Sequence, residues 1–191
     1  MADDMYPYHR LVKMFIVNAF KKKKEENIED EFIWKFRPGL GDIDLYPEVN
    51  NGRHFVLFDL ARYDLAFRIR LVKYVMKNKY AFVIGGSTIR YRRRLAPFRK
   101  AFVRTKLVGA DEKFFYFQQT TEQKGQVKSS ALIRAGIRKK GGTVEPKKLM
   151  SDLGYEMEPF MQDWVSEWAN WDDNSRPWPE PYQQSKTDMS S

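Results

Sequence analysis

The segment Gly41-Asp42-Ile43-Asp44-Leu45-Tyr46-Pro47-Glu48-Val49-Asn50-Asn51-Gly52-Arg53-His54 gathers three carboxylates, two asparagines and a histidine into one short stretch. Asn50 and Asn51 are good helix N-caps, and Phe55, Phe58, Leu60, Tyr63, Leu65 and Phe67 behind them predict a helix with a wide apolar surface. A carboxylate just ahead of such a start, Asp44 above all, sits beside backbone N–H groups that have no partner inside the helix. Those amides, here of Asn51 or Gly52, can hold an oxygen on which negative charge develops, while the acid activates a water or attacks directly. The competing reading is structural. An Asp in a loop punctuated by Gly and Pro is most often a cap or turn residue, and Asp42 and Asp44 both fit that description.

Outside this loop fewer residues carry chemistry. Asp59 and Asp64 are the remaining acids on the helix, and Asp59 has a natural ion-pair partner in Arg62. His54 has no partner that spacing can name and reads as a structural histidine. Gly85-Gly86-Ser87 lacks the Gly-x-Ser-x-Gly spacing of a nucleophile elbow, and phosphate loops of the Walker or dinucleotide kind are absent. Arg90, Arg92, Arg93 and Arg94 form the main basic cluster; on a strand, Arg90, Arg92 and Arg94 share one face and Arg93 takes the other. That face either meets phosphate groups or pairs with acidic residues near the C-terminal end. With no cysteine and only His9 and His54, the chain excludes disulfide scaffolds, zinc fingers and thiol chemistry, and neither a metal nor a cofactor is expected.

The elements that must position these groups are readable. The 191 residues suffice for one domain with its own core. Residues 8–22 read as a helix ending in Lys21 to Lys24, and 32–36 as a short aromatic strand before the Pro38, Gly39, Gly41 loop. The helix after Asn51 either breaks near Ala66 or runs past Ile69. Residues 81–94 predict one long strand with a bulge or close approach at Gly85-Gly86, and Pro97 reads as the turn into 98–108. Residues 113–121 and 126–138 complete what reads as an antiparallel meander. Two short helices follow, near 147–153 and 159–171, and a Pro-, Ser- and Gln-rich tail over 174–191 predicts disorder. The division expected is 1–31 as N-terminal helix and acidic linker, 32–140 as the main domain, 141–173 as acidic helices and 174–191 as tail. The architecture is therefore α+β: an antiparallel sheet wrapped around one long helix, with helical extensions at both ends.

Charge narrows the partners. Lys and Arg number 34 against 25 Asp and Glu, a formal net charge of +9, which invites acidic partners. Nucleic acid is not expected, because Phe98, Phe102, Phe115 and Phe117 read mostly as core. No secretory leader is evident after the acidic Met1 to Asp4, and no apolar run approaches the roughly 20 residues of a spanning helix. A cytoplasmic protein is expected, with peripheral membrane contact through residues 8–24 as the alternative.

The loop pattern of Asp-x-Asp, five residues, then Asn50-Asn51 and the helix beginning Phe55-Val56-Leu57-Phe58 resembles the hotdog-fold acyl-CoA thioesterases of the 4-hydroxybenzoyl-CoA thioesterase type. The stretch from Val83-Ile84-Gly85-Gly86 to Arg92-Arg93 looks like the thioesterase-superfamily-member-6-like subgroup. The resemblance covers about residues 32–138 and is dense in those two blocks. It implies the hotdog fold, a homodimer or larger assembly, and hydrolysis of acyl-CoA thioesters with Asp44 as base or nucleophile and the Asn51 and Gly52 amides as oxyanion donors. It also implies CoA phosphates on Arg90, Arg92 and Arg94. Glu48 and Asp59 are secondary candidates, since some hotdog enzymes carry their acid on the helix. Pro47-Glu48 replace the Gly-His common in relatives, which keeps open a catalytically inactive protein that binds acyl or lipid ligands.

Overall fold

The computed structural model describes residues 7–20 and 28–177. The elements are α1 (Tyr8–Phe20), β1 (Phe32–Phe36), α2 (Asn51–Arg68), α3 (Leu71–Lys77), β2 (Ala81–Tyr91), β3 (Ala101–Ala110), β4 (Phe115–Gln123), β5 (Gln126–Lys139), β6 (Gly142–Val144), α4 (Pro146–Asp152), β7 (Phe160–Met161) and α5 (Asp163–Asn170), closed by a π-helical turn over Trp171–Ser175. The strands form one antiparallel sheet whose main path is β1-β3-β4-β5-β2, with β6 on β5 and β7 on β3. The sheet wraps α2, which buries Leu57, Phe58, Leu60, Ala61 and Leu65 against it. This is the hotdog arrangement. Its physical origin is plain: a helix apolar on most sides must be enclosed, and one curled sheet encloses it.

Several expectations change in detail. α2 ends at Arg68, and Arg70 takes a left-handed conformation (φ 63°) that restarts the chain as α3. The meander covers only β3, β4 and β5, whose last turn is made by Lys124 (φ 54°) and Gly125 (φ 69°). β2 is not hairpinned to β3; it lies beyond β5, with Ala81 opposite Arg138 and Tyr91 opposite Ser129. Residues 92–100 instead carry the chain across the sheet end. There Leu95 is buried, its carbonyl accepts the Val49 N–H, the Gln123 amide grips both backbone groups of Ala96, and Phe98 N–H bonds the Pro38 carbonyl. Pro97 therefore sits in a long link, where no two-residue turn could form.

The segment expected as one helix over 159–171 is a strand followed by a helix. Phe160 and Met161 pair with β3, and the place where Met161 crosses is Gly109, at which a Cβ would come within 2.5 Å of the Met161 sulfur. α5 then lies on the outer face of the sheet, where Val165 packs with Val108, Tyr116 and Leu132. The bulge expected at Gly85-Gly86 is present, with a register shift between Ile84 and Gly86. A Cβ on Gly85 would stand 2.8 Å from the Phe114 ring, and one on Gly86 3.1 Å from Trp168 and Asp172, so bare backbone there makes room for Phe114 at Gly85 and for the C-terminal strap at Gly86. Asn174 and Ser175 close the π-helical turn; the rest of the expected tail from 178 on, and the lysine run with the acidic residues after it over 21–27, lie outside the described residues.

Candidate functional site at the start of α2

The loop ahead of α2 closes on itself through a bridge between Ile43 and Val49, and the Asp44 N–H donates to the Glu48 carbonyl at 3.0 Å. Asn50 is the cap. Its Oδ1 accepts the Gly52 N–H at 2.8 Å, and its Nδ2 donates to Asp44 Oδ2 at 2.8 Å. The other Asp44 oxygen accepts the Leu45 N–H at 2.7 Å, and the side chain stays open to solvent. One asparagine thus ties an exposed carboxylate to the helix start. Of the first-turn amides, that of Gly52 is taken by the cap and that of Arg53 by the Asn50 carbonyl, which leaves the Asn51 N–H with no hydrogen bond among the described residues. Asp42 has a different place. It is buried, takes both terminal nitrogens of Arg10 and accepts the Gly39 N–H, so it fastens α1 to the loop. Glu48 pairs with Arg94 at 3.2 Å.

Behind the helix start lies a polar cluster that spacing did not reveal. His54 is buried, and its Nδ1 lies 2.8 Å from Ser129 Oγ, which in turn lies 2.8 Å from Thr121 Oγ1. Burial drops the His54 pKa to about 4, so the imidazole is neutral at pH 7. Tyr91 stands edge-on to His54 at 5.3 Å and donates its hydroxyl to the Asn51 carbonyl at 2.9 Å. These contacts pin the first turn of α2 to β2, β4 and β5. A clue was present in the sequence: Ser129 occupies an inward position of a strand whose other inward residues are apolar, and such a buried hydroxyl needs a partner.

Further along α2, the face toward β2 borders open space. A groove of about 340 Å³ is lined by Phe55, Val56, Asp59, Arg62, Ile84 and Ile133. Deeper lies a small cavity of about 60 Å³ between α2 and the sheet, lined by Tyr63, Leu65, Phe82, Phe115, Phe117 and Ile137 among others. Asp59 and Arg62 border both and pair with each other at 3.1 Å; Arg62 also donates to Gln119 Oε1, whose amide nitrogen bonds the Phe58 carbonyl and Thr105. Asp59 follows Asn51 by two turns, roughly 12 Å of helix, so it does not share the pocket of Asp44.

The arginine cluster departs from strand alternation. β2 ends at Tyr91, and the N–H groups of Arg92 and Arg93 both donate to the Lys128 carbonyl. Arg90, Arg92 and Arg93 are exposed and form no ion pair among the described residues, while Arg94 holds Glu48. The expected pairing of this cluster with the acidic C-terminal helices is not what forms. Asp172 and Asp173 instead clasp Arg134, which is buried between the Phe114 and Trp168 rings. A buried guanidinium needs those carboxylates more than exposed arginines do. Among the described residues, no group of acids and histidines could hold a metal ion, and no helix is long and apolar enough to cross a membrane.

The model of the thioesterase-like superfamily matches residues 38–168, which take in the loop, α2 and every strand after β1. The chain belongs to this superfamily. Among relatives of this thioesterase-like chain, Protein THEM6 of Danio rerio is 37% identical over 100 residues, covering 51% of this chain and 50% of that protein. The chain spans about half the length, or less, of the curated relatives it matches. Among solved structures, a 1,4-dihydroxy-2-naphthoyl-CoA thioesterase from Synechocystis superposes with a TM-score of 0.56 at 12% identity, over 65% of this chain and 95% of that one. A hypothetical protein from Staphylococcus aureus, solved in complex with CoA, gives 0.59 at 11% identity, over 73% and 94%. These structures share the hotdog fold with the superfamily member described here.

Proposed function

We propose that this protein hydrolyses acyl-CoA thioesters to the free acid and CoA, with Asp44 as general base or nucleophile. The observation that supports this reading is the hydrogen-bonded line Asp44–Asn50–Gly52, which ties a solvent-facing carboxylate to the start of a helix whose Asn51 N–H has no hydrogen bond among the described residues. In the base route, Asp44 takes a proton from water as its oxygen attacks the thioester carbon. The Asn51 N–H, joined by that of Gly52 once Asn50 releases it, holds the oxyanion; collapse expels the CoA sulfur, which is protonated as it leaves. In the nucleophile route, Asp44 forms an acyl anhydride that water then opens. The acyl group would lie along α2 in the groove past Phe55 and Val56, with the CoA phosphates on Arg90 and Arg92, and on Arg94 if Glu48 yields it. β2 is a long edge strand with Ile84 exposed, and a second copy pairing there would complete the groove. The division into a central domain over 32–140 with helical extensions, and a cytoplasmic setting, belong to the same proposal.

The second reading, a binding protein without turnover, is favoured by one observation: both Asp44 oxygens and the Gly52 amide are already engaged within the chain. Thiol release from short, long and aromatic acyl-CoA thioesters separates the two, and the chain itself carries no thiol. Turnover that falls about 10²–10⁴-fold in Asp44→Asn supports the hydrolase with Asp44 as its acid. Turnover untouched by that change moves the acid to Glu48 or Asp59, and none with any thioester leaves the binding protein.

A further inference from the structure

A peptide group passes charge from one end to the other: a donor on its carbonyl oxygen makes its own N–H a stronger donor. In the first turn of α2 one such group joins the Asn51 carbonyl to the Gly52 N–H. Its oxygen accepts the hydroxyl of Tyr91, the last residue of β2, at 2.9 Å. Neither partner needs this bond to be satisfied. Carbonyls at a helix start have partners inside the helix, since only the first N–H groups lack them. Tyr91 is 40% exposed, so its hydroxyl is within reach of water. Yet the ring is braced for the contact. It stands edge-on to His54, and Tyr91 lies opposite Ser129, whose hydroxyl is 2.8 Å from His54 Nδ1. Partial burial raises the Tyr91 pKa above the ordinary tyrosine range, so the hydroxyl is a donor throughout neutral pH.

We propose that Tyr91 is a positioning residue of the α2 site, whose hydroxyl orients and polarises the peptide between Asn51 and Gly52 so that the Gly52 N–H meets an oxyanion as a stronger donor. The inference rests on the hydrolase reading above, in which Asn50 releases that amide to the thioester oxygen. Before the reaction the Gly52 N–H faces the neutral Oδ1 of Asn50 at 2.8 Å. In the transition state it faces an oxygen that is gaining a full charge. A charged acceptor gains more from a polarised donor than a neutral one does, so the effect of Tyr91 falls on the chemical step and not on substrate binding.

Thiol release from an acyl-CoA thioester tests it, with kcat and KM measured for the wild type, Asp44→Asn, Tyr91→Phe and Ser129→Ala. Tyr91→Phe keeps the ring and loses the hydroxyl; kcat should fall about tenfold while KM stays within about twofold. In the amide NMR spectrum of the same variant without substrate, the Gly52 proton should move upfield, a shift that reports the peptide itself. Ser129→Ala loosens the turn from behind His54 but spares the bond to the Asn51 carbonyl, so it should lower the melting temperature and keep kcat within about twofold. Wild-type kcat in Tyr91→Phe, or an unmoved Gly52 proton, overturns the inference, and turnover that still falls in Asp44→Asn then leaves the hydrolase standing. A Ser129→Ala enzyme as slow as Tyr91→Phe overturns it as well, because a loosened turn would explain both. No turnover by the wild type with any thioester removes the hydrolase reading and this role together.

Discussion

Asn50 does two jobs with one side chain, and substitutions can part them. Asn50→Ser keeps a capping oxygen for the Gly52 N–H but loses the amide that holds Asp44. Its melting temperature should stay close to the wild type while acyl-CoA turnover falls on the order of tenfold; Asn50→Ala should in addition cost about 1 kcal/mol in denaturant unfolding. His54 carries a prediction in pH. Its pKa is about 4 in the fold against 6.5 unfolded, so between those values the unfolded chain binds the extra proton. Stability should be full above about pH 6.5 and decline by roughly 3 kcal/mol as pH falls to 4, and the slope should flatten in His54→Asn. Asp44, Asn50 and Asn51 could be read as a set from the sequence because helix starts have a local grammar. The His54–Ser129–Thr121 cluster could not, because its members come from three separate elements and only the fold makes them neighbours.

Among the elements, the C-terminal strap shows where local sequence stops being informative. Acidic residues after Leu149 invite pairing with the largest basic cluster, yet Asp172 serves one arginine buried on β5 and, through its other oxygen, Arg176. Removing it leaves a buried guanidinium with one carboxylate, Asp173, and the Gly85 carbonyl, so Asp172→Ala should lower the unfolding free energy by about 3 kcal/mol. A double change to Arg134→Met and Asp172→Leu should restore most of that, as measured by the denaturant midpoint. β4 and β5 were readable as strands from their alternation and turns. The position of β2 was not, since pairing with β5 rather than β3 is decided by the link over 92–100, whose buried Leu95 and Gln123-bound Ala96 leave no mark on periodicity.

For the molecule as a whole, a net charge of +9 is distributed unevenly, and Arg90, Arg92 and Arg93 are exposed with no ion pair among the described residues. If they hold CoA phosphates, Arg90→Gln with Arg92→Gln should raise KM several-fold with kcat little changed, and added salt should raise KM in the wild type more than in the variant. The fold class was legible because one wide apolar helix and several alternating strands admit few arrangements. The strand order has a kinetic side. β3, β4 and β5 are sequence neighbours joined by short turns, whereas Phe32 must find Thr105 and Ala81 must find Arg138 across long intervals of chain. High contact order of this kind slows the search, so refolding belongs on a millisecond-to-second scale, with the three-strand meander formed before either edge strand closes over α2.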